Sequence, residues 1–89
     1  MFYVYVLKDP RGPAIYIGYT ADLKQRFNEH MRLPAYKGWK LAYYEAYADE
    51  TDARKRERML KHYGSSLGKL KARIEASLNA VGLEWAGSQ

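Results

Sequence analysis

The sequence of 89 residues contains no cysteine. Disulfides, thiolate nucleophiles and cysteine-held zinc are thereby excluded. It has no long hydrophobic run, so no stretch reads as a signal peptide or a membrane span. A reducing, cytoplasmic setting is the expectation. There is no internal repeat, no low-complexity tract and no linker, and 89 residues make one domain with a modest core. Between residues 54 and 73 acidic residues are almost absent. Glu57 stands alone there against Arg54, Lys55, Arg56, Arg58, Lys61, Lys69, Lys71 and Arg73. That segment carries +7 in a chain of net charge +5, so the remainder is −2. A local cationic zone favours a polyanionic partner, nucleic acid first. A solvated basic helix face explains the charge equally well.

What the chain has in excess is tyrosine. Aromatics are 15% of the residues and nine of them are tyrosines, whose hydroxyls need partners when buried. "FYVYVLK", residues 2–8, reads as a strand, with Phe2, Val4 and Val6 on one face and Tyr3, Tyr5 and Leu7 on the other. "DPRGP" is a turn, and "AIYIGY" is a second strand that completes an antiparallel hairpin. Thr20 is the expected N-cap of a first helix, with Asp22 in its first turn. That helix carries the stripe Leu23, Phe27 and Met31 and ends before Pro34. "PAYKGW" reads as loop, and residues 39–47 as a third strand, central or paired to the hairpin. Thr51 or Asp52 caps a helix over about residues 52–62, with Gly64 as its stop signal. Ser65 or Ser66 caps a last helix with the stripe Leu67, Leu70, Ile74, Leu78 and Val81, ended by Gly82. The expected fold is α+β, a small three-stranded antiparallel sheet flanked by helices in the order ββαβαα. It forms a single domain over residues 1–82 with a tail over 83–89 that packs through Trp85.

Few side chains here suit chemistry. Arg26 and His30 are four apart, hence neighbours on one helix face. An arginine can clamp phosphate and a histidine can move a proton, although a surface arginine and a satisfied core histidine fit the same spacing. Glu57 falls between Ala53 and Leu60 on the apolar side of its helix. A carboxylate turned inward calls for a divalent cation, or for a salt bridge to Arg26, Arg54 or Lys61. Tyr5 and Tyr16 lie on neighbouring strands. On a shared face, nearby cations could lower one phenol enough for it to act as a base. Gly18 interrupts the second strand, where glycine marks a bulge or a close approach.

Read together, "YVYVLK", "YIGYTADLKQRFNEH" and "ARKRERMLK" resemble the GIY-YIG nuclease superfamily. The likeness is to small stand-alone bacterial members related to the nuclease domain of the excinuclease of nucleotide-excision repair, and it spans residues 2 to about 74. The resemblance implies that Tyr5 is the tyrosine of the first motif and that Tyr16, Ile17 and Gly18 are the second. It makes Arg26 and His30 catalytic, Glu57 the single metal ligand, and Lys8 a lysine near the site. A side chain at Gly18 would crowd the pocket between Tyr5, Tyr16 and the phosphate. Two departures stand out. The first motif reads Tyr3-Val4-Tyr5 without its leading glycine, and "YGSSLGKLK" offers Ser65 and Ser66 but no asparagine.

The activity so implied is endonucleolytic hydrolysis of DNA with one Mg2+ or Mn2+, on branched or damaged DNA in repair or processing. Tyr5 or Tyr16 serves as general base. Arg54, Arg58, Lys61, Lys69 and Lys71 track the phosphate backbone without reading sequence. The alternative, prompted by the missing asparagine, is a nucleic-acid-binding module of weak or no catalysis. It would act with a protein partner that supplies specificity.

Overall fold

The computed structural model describes residues 1–87, with side chains through residue 81. Strand β1 (Phe2–Lys8) and strand β2 (Ile15–Thr20) form the expected hairpin. Strand β3 (Lys40–Tyr47) pairs antiparallel with β1, so the sheet order is β2-β1-β3. β1 takes the centre because Val4, Tyr5, Val6 and Leu7 are buried on both of its faces. The β1–β3 register slips between Val6 and Leu7: Val6 faces Tyr43 but Leu7 faces Leu41. Alternation places Tyr43, Glu45 and Tyr47 on the face of Phe2, Val4 and Val6, and the bulge beyond Val6 sets Leu41 opposite Leu7.

Two helical layers cover the two faces unequally. Helix α2 (Glu50–His62), helix α3 (Gly64–Arg73) and helix α4 (Glu75–Gly87) follow β3. They bring Ala53, Leu60, Leu70 and Ile74 onto Val4, Val6 and Ile17, which together form the core. Tyr19 packs half-buried against that core, and its hydroxyl donates to Glu50 Oε2 at 2.5 Å. The other face carries the short helix α1 (Leu23–Met31). Its stripe of Leu23, Phe27 and Met31 is only half-buried, and its one buried residue is His30.

Several local expectations give way. Asp22, not Thr20, caps α1: its carboxylate accepts from the Gln25 amide at 3.0 Å. Thr20 instead folds the preceding turn, its hydroxyl accepting from the Asp22 amide at 3.0 Å. Asp49 caps α2 in place of Thr51 or Asp52, accepting from the Thr51 amide at 2.7 Å. In both cases it is an aspartate carboxylate that reaches the free amides of the first turn. Pro34–Tyr36 forms one 3-10 turn within the expected loop. Gly64 opens α3 instead of lying in a left-handed stop, and Tyr63 caps that helix with no side-chain bond from Ser65 or Ser66. The expected last helix is two, broken at Ile74 (φ −108°, ψ 23°). α4 continues through Gly82 to Gly87, as a single glycine weakens a helix by only about 1 kcal/mol. The Trp85 side chain lies outside the described ones. Among the described residues no helix is long and apolar enough to cross a membrane.

Candidate active site

Pairing places Tyr5 opposite Gly18 and Leu7 opposite Tyr16. Tyr5, Tyr16 and Gly18 therefore share the face beneath α1. The Tyr5 ring lies across Gly18: a Cβ there would come within about 2.3 Å of Tyr5 Cζ and Oη. The close approach that a strand glycine permits is thus made by this ring. Tyr5 and Tyr16 rings stand 6.2 Å apart.

His30 descends from α1 onto both tyrosines. Its Nε2 shares a 2.9 Å hydrogen bond with the Tyr5 hydroxyl, and its ring meets Tyr16 edge to face at 4.7 Å. Its Nδ1 is buried and has no hydrogen-bond partner among the described residues. An unpaired buried nitrogen costs about 1–3 kcal/mol, so the position holds it against that penalty. Burial, with Arg26 adding and Glu29 opposing, keeps the imidazole below its ordinary value of 6.5. His30 is therefore neutral near pH 7. Burial, then the Tyr16 phenol, pushes the Tyr5 phenol well above its ordinary value, with Arg26 opposing and Glu57 adding. This is opposite to the cation-lowered phenol expected from the sequence, because Tyr5 is only 1% exposed. The half-buried Tyr16 is the more accessible of the two.

Two more groups reach this centre. α2 packs on the opposite face, and its Lys61 ammonium stands 5.8 Å from the Tyr16 ring centroid. The same ammonium pairs with Glu57 Oε2 at 3.1 Å. Glu57 is half-buried, as its wheel position required, and Lys61 is the salt-bridge partner that the sequence left among three. Arg26 is exposed and pairs with Glu29 at 3.1 Å, yet its charge and that of Glu57 both act on Tyr5. Arg26 and His30 thus diverge, one outward and one inward, while remaining on one centre.

Other candidates lie apart from it. The Lys8 ammonium donates to the Asp9 carbonyl at 2.8 Å and to the Gly12 carbonyl, which ties it to the β1–β2 turn. Arg54 pairs with Glu50 at 3.4 Å and lies over the Tyr19 ring. Arg58, Lys69 and Lys71 are exposed and form no ion pair among the described residues.

The family model that matches this chain describes a GIY-YIG catalytic domain, over residues 1–72. The chain belongs to the GIY-YIG family. No match was found among curated proteins or solved structures. GIY-YIG domains are nuclease domains, they act on DNA, and they generally use divalent metal ions. Among the described residues no three His, Asp or Glu side chains gather to form a cage. What this GIY-YIG chain offers for a metal is Glu57, a half-buried carboxylate held by one ammonium. A single hard oxygen suits an Mg2+-class ion that keeps most of its waters and takes phosphate oxygens as further ligands. Sequence reasoning missed two neighbours of the centre, Tyr36 and Trp39. Their only signal was two aromatics inside a glycine-containing loop.

Proposed function

We propose that the protein is a metal-dependent DNA endonuclease whose centre is the Tyr5–Tyr16–His30 cluster with Arg26, Glu57 and Lys61. The observation that carries this reading is convergence. Side chains from β1, β2, α1 and α2 meet at one place, with two tyrosines, one histidine and charges of both signs.

In this reading Tyr16 takes the proton of the attacking water. It is the more accessible phenol, and the Lys61 ammonium stands 5.8 Å from its ring centroid. The buried Tyr5–His30 pair holds Tyr16 in place and excludes water behind it. Arg26 swings from Glu29, an exposed and weak partner, to the scissile phosphate and stabilises charge in the transition state. Glu57 would hold the divalent ion, Mg2+ or Mn2+, which supplies Lewis-acid activation of the phosphate when bound. Exposed Arg58, Lys69 and Lys71 bind the backbone. The substrate proposed is branched or damaged DNA in repair or processing, in the cytoplasm.

The test is nicking of supercoiled and branched DNA with Mg2+ or Mn2+. Glu57→Ala and Arg26→Ala are each expected to lower the cleavage rate by at least about 100-fold, and EDTA to abolish it. A wild-type protein that cuts no faster than either variant ends this reading. Salt-sensitive binding unchanged by Glu57→Gln, with no cleavage, would mark a binding module instead.

A further inference from the structure

The segment between α1 and β3 carries two aromatic side chains that the proposed reaction does not use. Tyr36 ends the 3-10 turn, and Trp39 precedes β3. Their rings meet edge to face at 4.9 Å. Tyr36 in turn meets His30 at 5.1 Å and Tyr16 at 5.4 Å. A continuous row of rings thus runs from the Tyr5–His30 pair out to Trp39. Burial falls along it: Tyr5 and His30 are buried, whereas Tyr16, Tyr36 and Trp39 are half-buried. A row built only to fill a core would end closed, and this one opens towards solvent.

The segment is braced. Gly38 adopts φ 85°, the one left-handed residue among those described, and so turns the chain sharply between Tyr36 and Trp39. The Trp39 amide donates to the Tyr36 carbonyl at 3.1 Å. Arg11 reaches from the β1–β2 turn to donate to the Lys37 carbonyl at 2.8 Å. The charge carried by the segment itself is of one sign. Residues 32–40 hold Arg32, Lys37 and Lys40 and no acid, and none of the three makes an ion pair among the described residues. Half-exposed rings on a segment that also carries uncommitted cations match a nucleobase with its phosphate, base on ring and phosphate on ammonium.

We propose that Tyr36 and Trp39 form a stacking subsite for an unpaired base of a nucleic-acid strand, next to Tyr16. The inference rests on the nucleic-acid substrate of the proposed function and deepens it. A base inside a continuous duplex is covered by its neighbours and offers no face. A base at a flap, gap or junction does. The subsite therefore selects strands with unpaired bases over continuous duplex.

The experiment measures binding in EDTA, so that cleavage plays no part. Fluorescence anisotropy compares a short labelled oligothymidylate with an abasic strand of the same length. Wild type is expected to bind the base-bearing strand about tenfold more tightly. Trp39→Ala should remove most of that preference while leaving affinity for the abasic strand unchanged, and Trp39→Phe should keep it. If Trp39→Ala does not fold, Trp39→Leu and Tyr36→Leu fill the space without a π face and carry the same comparison. Equal wild-type affinity for the two strands overturns the subsite, as does a variant that loses affinity equally for both. Preference without any cleavage would end the nuclease reading and leave the subsite standing. Cleavage without preference would do the reverse.

Discussion

Gly18 and Tyr5 face each other across β1 and β2, and the phenol ring occupies the space a side chain at Gly18 would need. The ring is held by its bond to His30 and cannot swing aside freely. Gly18→Ala is therefore expected to lose about 1–3 kcal/mol of stability in urea denaturation, the usual range for overpacking. In a Tyr5→Ala background the same substitution should cost nothing, since the obstructing ring is gone. An equal loss in both backgrounds would mean that the ring is not what excludes the methyl group. The sequence flagged Gly18 because glycine weakens a strand, and it put Tyr5 near the site. It could not put the ring over the glycine, because that contact exists only once β1 and β2 pair in this register. His30 makes the same point. Its spacing from Arg26 was readable, but its burial against two tyrosines depends on how α1 lies over the sheet.

At the level of elements, one ion pair ties β3 to α2. The Arg56 guanidinium forks onto Glu45, with Nε to Oε1 at 3.0 Å and Nη2 to Oε2 at 3.1 Å. The Tyr43 hydroxyl donates to Glu45 Oε2 at 2.8 Å and the Tyr47 hydroxyl to Oε1 at 2.5 Å. Burial raises the Glu45 carboxyl, but Arg56 and the two phenols outweigh it and hold it below its usual value. Burial, then the bond to Glu45, pushes the Tyr47 phenol up to about 12. Glu45→Ala leaves Arg56 without its partner and is expected to cost about 3 kcal/mol in thermal or urea melts. The sign with pH follows from the lowered Glu45 value. Its contribution is complete above the usual carboxylate range and is lost as pH falls through the lowered value. The wild-type protein should therefore lose stability on acidification more steeply than Glu45→Ala. Strand existence was readable from period two, and the bulge that sets Leu41 opposite Leu7 was not. The break at Ile74 was hidden for a related reason. Leu67, Leu70, Ile74, Leu78 and Val81 keep helical spacing straight through it.

For the molecule as a whole, the folded arrangement divides the basic segment of residues 54–73. Arg54, Arg56 and Lys61 are engaged by Glu50, Glu45 and Glu57, whereas Arg58, Lys69 and Lys71 are not. On the proposed function the latter set carries the electrostatic part of DNA binding. Replacing Lys69 and Lys71 together by Gln should weaken binding at all sequences alike. It should also make the plot of log affinity against log salt shallower by about 2. An unchanged slope, measured by titration across salt concentrations, would remove those lysines from the interface. The sequence by itself determined the class of fold, the family and the types of side chain available. Strand alternation, helix spacing and motif spacing are local properties of the chain. Only the tertiary structure decided which face each tyrosine shares, that the Lys61 ammonium stands beside Tyr16, and that Tyr36 and Trp39 extend the row of rings. Those depend on strand register and on how helices lie over a sheet, and both are set by packing between residues far apart in the chain.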